Sequence, residues 1–122
     1  MFTIKQLREI FDKTSGHCHF CGDRLYFKRY GWKKENPLKG AWEADHVIQK
    51  AKGGAKGIEN CLPACVRCNR LRWHRRGREM RELLTLGLVA KDEIKRGTAF
   101  GKEARGLMKK REAAQGKRRR NL

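Results

Sequence analysis

Apolar positions recur in three different rhythms along the chain. At the start, Ile4, Leu7, Ile10 and Phe11 fall at helical spacing behind Thr3, a residue able to cap a helix, and Ser15-Gly16 closes the stretch. In the middle the apolar runs are short. Leu25-Tyr26-Phe27-Lys28-Arg29-Tyr30 and Trp42-Glu43-Ala44-Asp45-His46-Val47-Ile48 each predict a strand. The polar residues 31–40, with Asn36-Pro37, predict the loop between them, and Lys50 to Gly57 predicts a second loop, basic and containing Gly53-Gly54. Asn60-Cys61-Leu62-Pro63-Ala64 then leads to a helix expected from about Arg67, through Asn69, Leu71 and Trp73, to about Arg76. In the last third the helical rhythm returns. Met80, Leu83 and Leu84 predict a helix over Arg78–Leu86 with Gly87 as its C-cap. Ala90–Arg96 predicts a short helical turn, and Ala104, Leu107, Met108 and Ala114 a weak stripe on a helix over Lys102–Gln115. Lys117-Arg118-Arg119-Arg120 predicts a disordered basic tail. The pattern implies an α+β unit over residues 1–77 and a helical basic extension over 78–122.

Composition changes the picture in one respect. With 39% hydrophobic and 36% charged residues in 122, the apolar supply for a core is thin. Domains of this kind commonly rely on a metal or on disulfides. The first residues, Met1 to Gln6, lack the apolar centre of a secretory signal, so a cytoplasmic setting is expected and the five cysteines read as metal ligands and one free thiol rather than disulfides. Four of them form two C-x-x-C pairs, Cys18/Cys21 and Cys65/Cys68, the spacing of a closed tetrahedral zinc site. Neither pair sits in the β-α-β setting of a redox motif. Cys61, among Leu62, Pro63 and Ala64, is expected to be a buried thiol acting as a small hydrophobe.

Charge adds a partner. The net charge is +18, with 18 basic and 6 acidic residues after Cys68 against 13 and 7 up to it. Such an excess points to a polyanion, and no apolar run is long enough to span a membrane. Nucleic acid is the expected partner, duplex DNA first, with RNA left open. Arg67, Arg70, Arg72, Arg75 and Arg76, continued by Arg78 and Arg81, suit bidentate phosphate contacts. Lys50 and Lys52, with Lys56, line the loop after His46. Trp42 and Trp73 are expected to pack inside, leaving Trp32 as the stacking candidate.

Between the cysteine pairs lie the residues able to do chemistry. Phosphodiester hydrolysis needs an activated water and a group to stabilise the leaving oxygen. His46 can take a proton from water, since imidazole titrates near neutral pH. Oxygen donors from Asp45 and Asn69 suit Mg2+ or Mn2+. Asn60 can hold the imidazole through its other ring nitrogen or through nearby backbone.

The run Trp42 to Ile48, then Gly53-Gly54, Asn60 and Cys65-x-x-Cys68-Asn69-Arg70 resembles an HNH endonuclease of the zinc-containing McrA-like type. The resemblance covers about Cys18 to Arg76. It implies a ββα-metal motif stapled by a four-cysteine zinc site. It makes His46 the general base, Asp45 and Asn69 ligands of a catalytic divalent ion, and Asn60 the residue that orients His46. Cys18, Cys21, Cys65 and Cys68 match the structural zinc ligands. The chain departs from the family in having Asn69 where His is frequent, Gln49 where Pro is frequent, and Cys61 where Leu usually follows the middle Asn. The implied function is a metal-dependent endonuclease acting on DNA phosphodiester bonds; the alternative is a non-catalytic zinc-knuckle nucleic-acid-binding protein. His17 and His19 are expected at the knuckle surface, and His74 at a phosphate.

Overall fold

A computed structural model of the chain describes residues 1–31, 38–73 and 77–115. The first helix, α1, spans Ile4–Asp12. The Thr3 side chain accepts from the Gln6 backbone N–H and the Gln6 side chain accepts from that of Thr3, a reciprocal cap that satisfies two orphan donors. The helix buries Ile10 and Phe11. Its last turn is tied to the centre of the domain by the Lys13 ammonium, which donates to the carbonyls of Cys61, at 3.0 Å, and Ile58.

The strand expected over Leu25–Tyr30 does not form. The segment makes isolated bridges, Arg24 to His17 and Tyr30 to Trp42, around a 3-10 turn at Phe27–Arg29. Its aromatics serve packing rather than a ladder. Phe27 meets Phe11 edge-on at 5.5 Å and Tyr30 meets Trp42 at 4.7 Å. The strand β1 is Trp42–His46, two residues shorter than expected, because Val47 and Ile48 turn away to bond Asn60. It pairs antiparallel with β2, Cys61–Cys65, in the register Trp42 to Cys65 and His46 to Cys61. Pro63 sits mid-strand opposite Ala44, which a two-stranded sheet tolerates because both strands are edges. Its carbonyl accepts from the His19 backbone N–H at 2.9 Å.

The core is small: Ile10, Phe11, Cys18, Leu25, Trp42, Cys61, Ala64 and Cys65. Trp42 is its largest member, and its indole N–H donates to the Phe27 carbonyl at 3.1 Å. Cys61 is fully buried there, as its apolar neighbours implied, and burial pushes its thiol up to about 11.

Helix α2, Val66–Trp73, follows β2 directly. Next, α3 runs unbroken from Gly77 to Arg96, so Gly87 is not a cap and Ala90–Arg96 is not a separate turn. One interior glycine costs a helix only about 1 kcal/mol against alanine, too little to end a run of good helix formers. The stop is Gly97, at φ +70°, whose N–H returns to the Glu93 carbonyl. Thr98 then caps α4, Ala99–Gln115, through the Gly101 N–H. The two helices pack as a hairpin, and α4 returns to the first cysteine pair. Arg111 donates to the Cys21 carbonyl at 3.0 Å and Gln115 to that of Phe20 at 2.7 Å. Gly22, at φ +74°, lies so close to the Arg111 backbone that a Cβ would collide with it. Among the described residues no helix is long and apolar enough to cross a membrane. Trp32, His74, Arg75, Arg76 and the basic tail lie outside the described residues.

Candidate functional site

The end of β2 and the first turn of α2 bring Cys65 and Cys68 to the loop that carries Cys18 and Cys21. All four sulfurs lie within 4.8 Å of one another. A tetrahedral zinc with Zn–S bonds of about 2.3 Å requires sulfur–sulfur edges of about 3.8 Å. The Cys21 and Cys65 sulfurs stand 3.9 Å apart. The backbone N–H of Cys68 already points at the Cys65 sulfur, at 3.3 Å. Hydrogen bonding from Cys18, with Cys65 and Cys68 adding to it, holds Cys21 far below the ordinary thiol range. Soft donors at tetrahedral spacing fit a structural metal ion. Partial burial opposes the charge of Arg67, but the negative charge of Cys65, Cys21 and Cys68 outweighs it and raises its pKa.

Adjacent residues of a strand face opposite ways, and Asp45 and His46 do so here. Asp45 turns toward α2 and the first cysteine pair. It is 1% exposed and its carboxylate takes three donors. His19 Nε2 lies 2.8 Å and Arg72 Nη1 2.6 Å from Oδ2, while Trp73 Nε1 lies 3.3 Å from Oδ1. Arg72 also donates to the Val47 carbonyl at 2.6 Å. Burial works against the Asp45 charge, but the His19 hydrogen bond and the Arg72 charge overcome it and hold the carboxyl below its usual range. Asn69 overlooks the same face of β1. Its amide N–H lies 3.5 Å from Glu43, two residues before Asp45, and its Oδ1 is buried without a partner. A carboxylate offers four lone-pair positions, so one remains on Asp45 Oδ1. Two hard oxygen donors on one face fit a divalent cation such as Mg2+ or Mn2+.

His46 turns to the other face, where it stacks on Phe2 with ring centres 6.1 Å apart. Its Nε2 lies 3.2 Å from the Lys56 carbonyl. A carbonyl only accepts, so this nitrogen carries the proton and the other presents the basic lone pair. Asn60 does not touch the ring. It grips the backbone instead, accepting from Ile48 N–H at 3.0 Å and donating to the carbonyls of Ile48, at 2.9 Å, and Ala55, at 2.8 Å. Asn60 therefore fixes the start and end of the loop whose Lys56 carbonyl holds His46.

The basic residues divide. Lys52 and Arg67 are exposed, and Lys50 opens a 3-10 turn at the head of the loop. Arg70 is half-buried and, with Arg67 and Lys39, lines a cavity of about 640 Å³ between α2, α3 and the loop at Leu38. Arg72 is turned inward onto Asp45. Sequence reasoning missed all three Asp45 donors; Trp73, expected to pack inside, is 43% exposed and turns its indole N–H to the carboxylate. Arg72 had a usable signal, since three residues from Asn69 puts both on one helix face. His19 had none: it was expected at the knuckle surface, yet it is 2% exposed.

An antiparallel β-hairpin running straight into a helix, with four cysteines placed to hold a metal beside it, defines a ββα-metal domain of the α+β class. Residues 18–75 match the family described as HNH endonuclease, and over that segment the chain is similar to that family. No curated protein and no solved structure matched the chain.

Proposed function

We propose that this protein is an endonuclease that hydrolyses DNA phosphodiester bonds with one divalent ion, using residues 1–77 as the catalytic unit and 78–122 as a basic extension. Cys18, Cys21, Cys65 and Cys68 hold a structural zinc. Asp45 and Asn69 supply oxygen donors to Mg2+ or Mn2+, which when bound would stabilise charge on the phosphate and the leaving oxygen. His46, its protonated nitrogen pinned by the Lys56 carbonyl, takes the proton of the attacking water. Asn60 keeps that arrangement in place through the backbone of the loop. Lys50, Lys52, Arg67, Arg70, Arg75 and Arg76 contact phosphates, and Arg72 acts from within through Asp45.

The observation that carries this reading is the Asn69 oxygen, buried and undonated on a side chain whose amide N–H reaches Glu43, two residues before Asp45 on β1. An inert fold has little reason to leave it so. One observation favours the alternative, a zinc-knuckle protein that binds nucleic acid without cutting it: Asp45 already takes three donors. Supercoiled plasmid incubated with Mg2+, Mn2+ or EDTA separates the two. Conversion to nicked or linear DNA that EDTA abolishes is the expected result. Salt-sensitive retardation in a gel with intact plasmid under every condition would establish the alternative.

A further inference from the structure

We infer that His19 is a positioning residue that fixes the Asp45 carboxylate from inside the first cysteine knuckle, an inference that rests on the reading of Asp45 as an ion ligand. Its backbone is already set without the ring. Its neighbours Cys18 and Cys21 belong to the four-sulfur cluster, and its own N–H is bonded to Pro63 of β2. The ring lies against Phe20 with centres 3.9 Å apart, which fixes its plane. Among the described residues one polar contact leaves it, from Nε2 to Asp45 Oδ2 at 2.8 Å. A carboxylate only accepts, so Nε2 carries the proton. Nδ1 is buried with no partner. A group filling space at this position would carry no such orphan, and an apolar side chain would serve better. The bond to Asp45 is what the histidine adds.

Its effect follows from the lone pairs. His19 and Arg72 together occupy Oδ2. Trp73 takes one position on Oδ1 and leaves the other as the place where the carboxylate meets an ion. Without the His19 donor, Oδ2 regains a free lone pair and the carboxylate is held by Arg72 and Trp73 alone. The knuckle that holds one metal thus sets the ligand of the second. Partners that orient a ligating carboxylate in this way typically change metal affinity by 10–100-fold.

The test is Mn2+ affinity, measured by titration calorimetry on the full zinc-loaded chain, for the native protein, His19→Leu, His19→Gln and Asp45→Asn. Zinc content and melting temperature are followed for each. Leu fills the space without a donor; Gln restores an N–H. The expected result is Mn2+ binding weakened about 10–100-fold in His19→Leu, largely recovered in His19→Gln, and weakened further in Asp45→Asn, with zinc retained throughout. Equal Mn2+ affinity in His19→Leu and His19→Gln, with Asp45→Asn still impaired, overturns the role of His19 alone. Native affinity in Asp45→Asn overturns the assignment of Asp45 as a ligand, and the role of His19 with it.

Discussion

The segment from Cys18 to Trp73 and the hairpin from Gly77 to Gln115 are held together in different ways. In the first, Trp42, Leu25, Leu62 and Val66 are buried to 1% exposure or less, two strands pair, and four sulfurs converge. In the second, α3 buries none of its 20 residues, and Leu84, Leu86 and Leu88 are about 60% exposed. The hairpin is held by helical backbone bonds, by contact between α3 and α4, and by the bonds from Arg111 and Gln115 to the first knuckle. The first segment has a small apolar core beside four cysteines placed to hold a metal, so its integrity is expected to depend on that metal. The hairpin's integrity is expected to be local, with metal dependence confined to where α4 lands.

Removing the metal breaks the comparison most severely. Structural zinc contributes an apparent binding free energy of about 10–16 kcal/mol in small metal-dependent domains, comparable to or above the whole stability of an ordinary one. Chelation, or Cys65→Ser, is expected to abolish the near-ultraviolet signal of Trp42 while much of the far-ultraviolet helical signal of α3 and α4 survives. Loss of both signals in a single transition would mean that the hairpin depends on the core throughout.

A smaller effect sharpens the same contrast. Trp42→Ala is expected to cost about 3–5 kcal/mol in denaturant unfolding of the metal-loaded protein, the range for deleting a large buried aromatic. Leu84→Ala, on the exposed face of α3, is expected to change stability by no more than about 0.5 kcal/mol. A large loss from Leu84→Ala would show that the hairpin face is covered in solution.

The legibility of the two regions also differed, for physical reasons. The cysteine pairs were readable because metal ligation demands a fixed spacing, and the Thr3 cap because it is a local bond. Strand β2 was not readable from its own residues, since Pro63 at its centre signals a break wherever the ladder is not an edge. The aromatic run at Tyr26–Tyr30 carried a strand's composition for another reason, packing around Trp42. Gly87 read as a helix end because its conformational freedom is visible in the sequence, whereas the left-handed turn that ends the helix is at Gly97. In the site, the residue types were legible and their directions were not. Asp45 and His46 are neighbours that face opposite ways, and of the two routes open to Asn60 the side chain takes the backbone one.

The smallest expected effect concerns Cys61. Burial raises its thiol to about 11, so at pH 8 about one molecule in a thousand carries the thiolate there. In the metal-loaded protein no cysteine should react readily with iodoacetamide at pH 8. Reaction at Cys61, located by peptide mass mapping, should quicken as pH rises toward 11. Rapid labelling of Cys61 at pH 8 would contradict its placement in the core.

The most direct test of the nuclease reading is the single-turnover rate of DNA cleavage by His46→Ala beside the native protein, at matched zinc content and with DNA affinity measured in parallel. The account predicts cleavage slowed about 10²–10⁴-fold, with zinc and DNA binding retained, because only the proton acceptor is lost. Cleavage by His46→Ala at the native rate would contradict it.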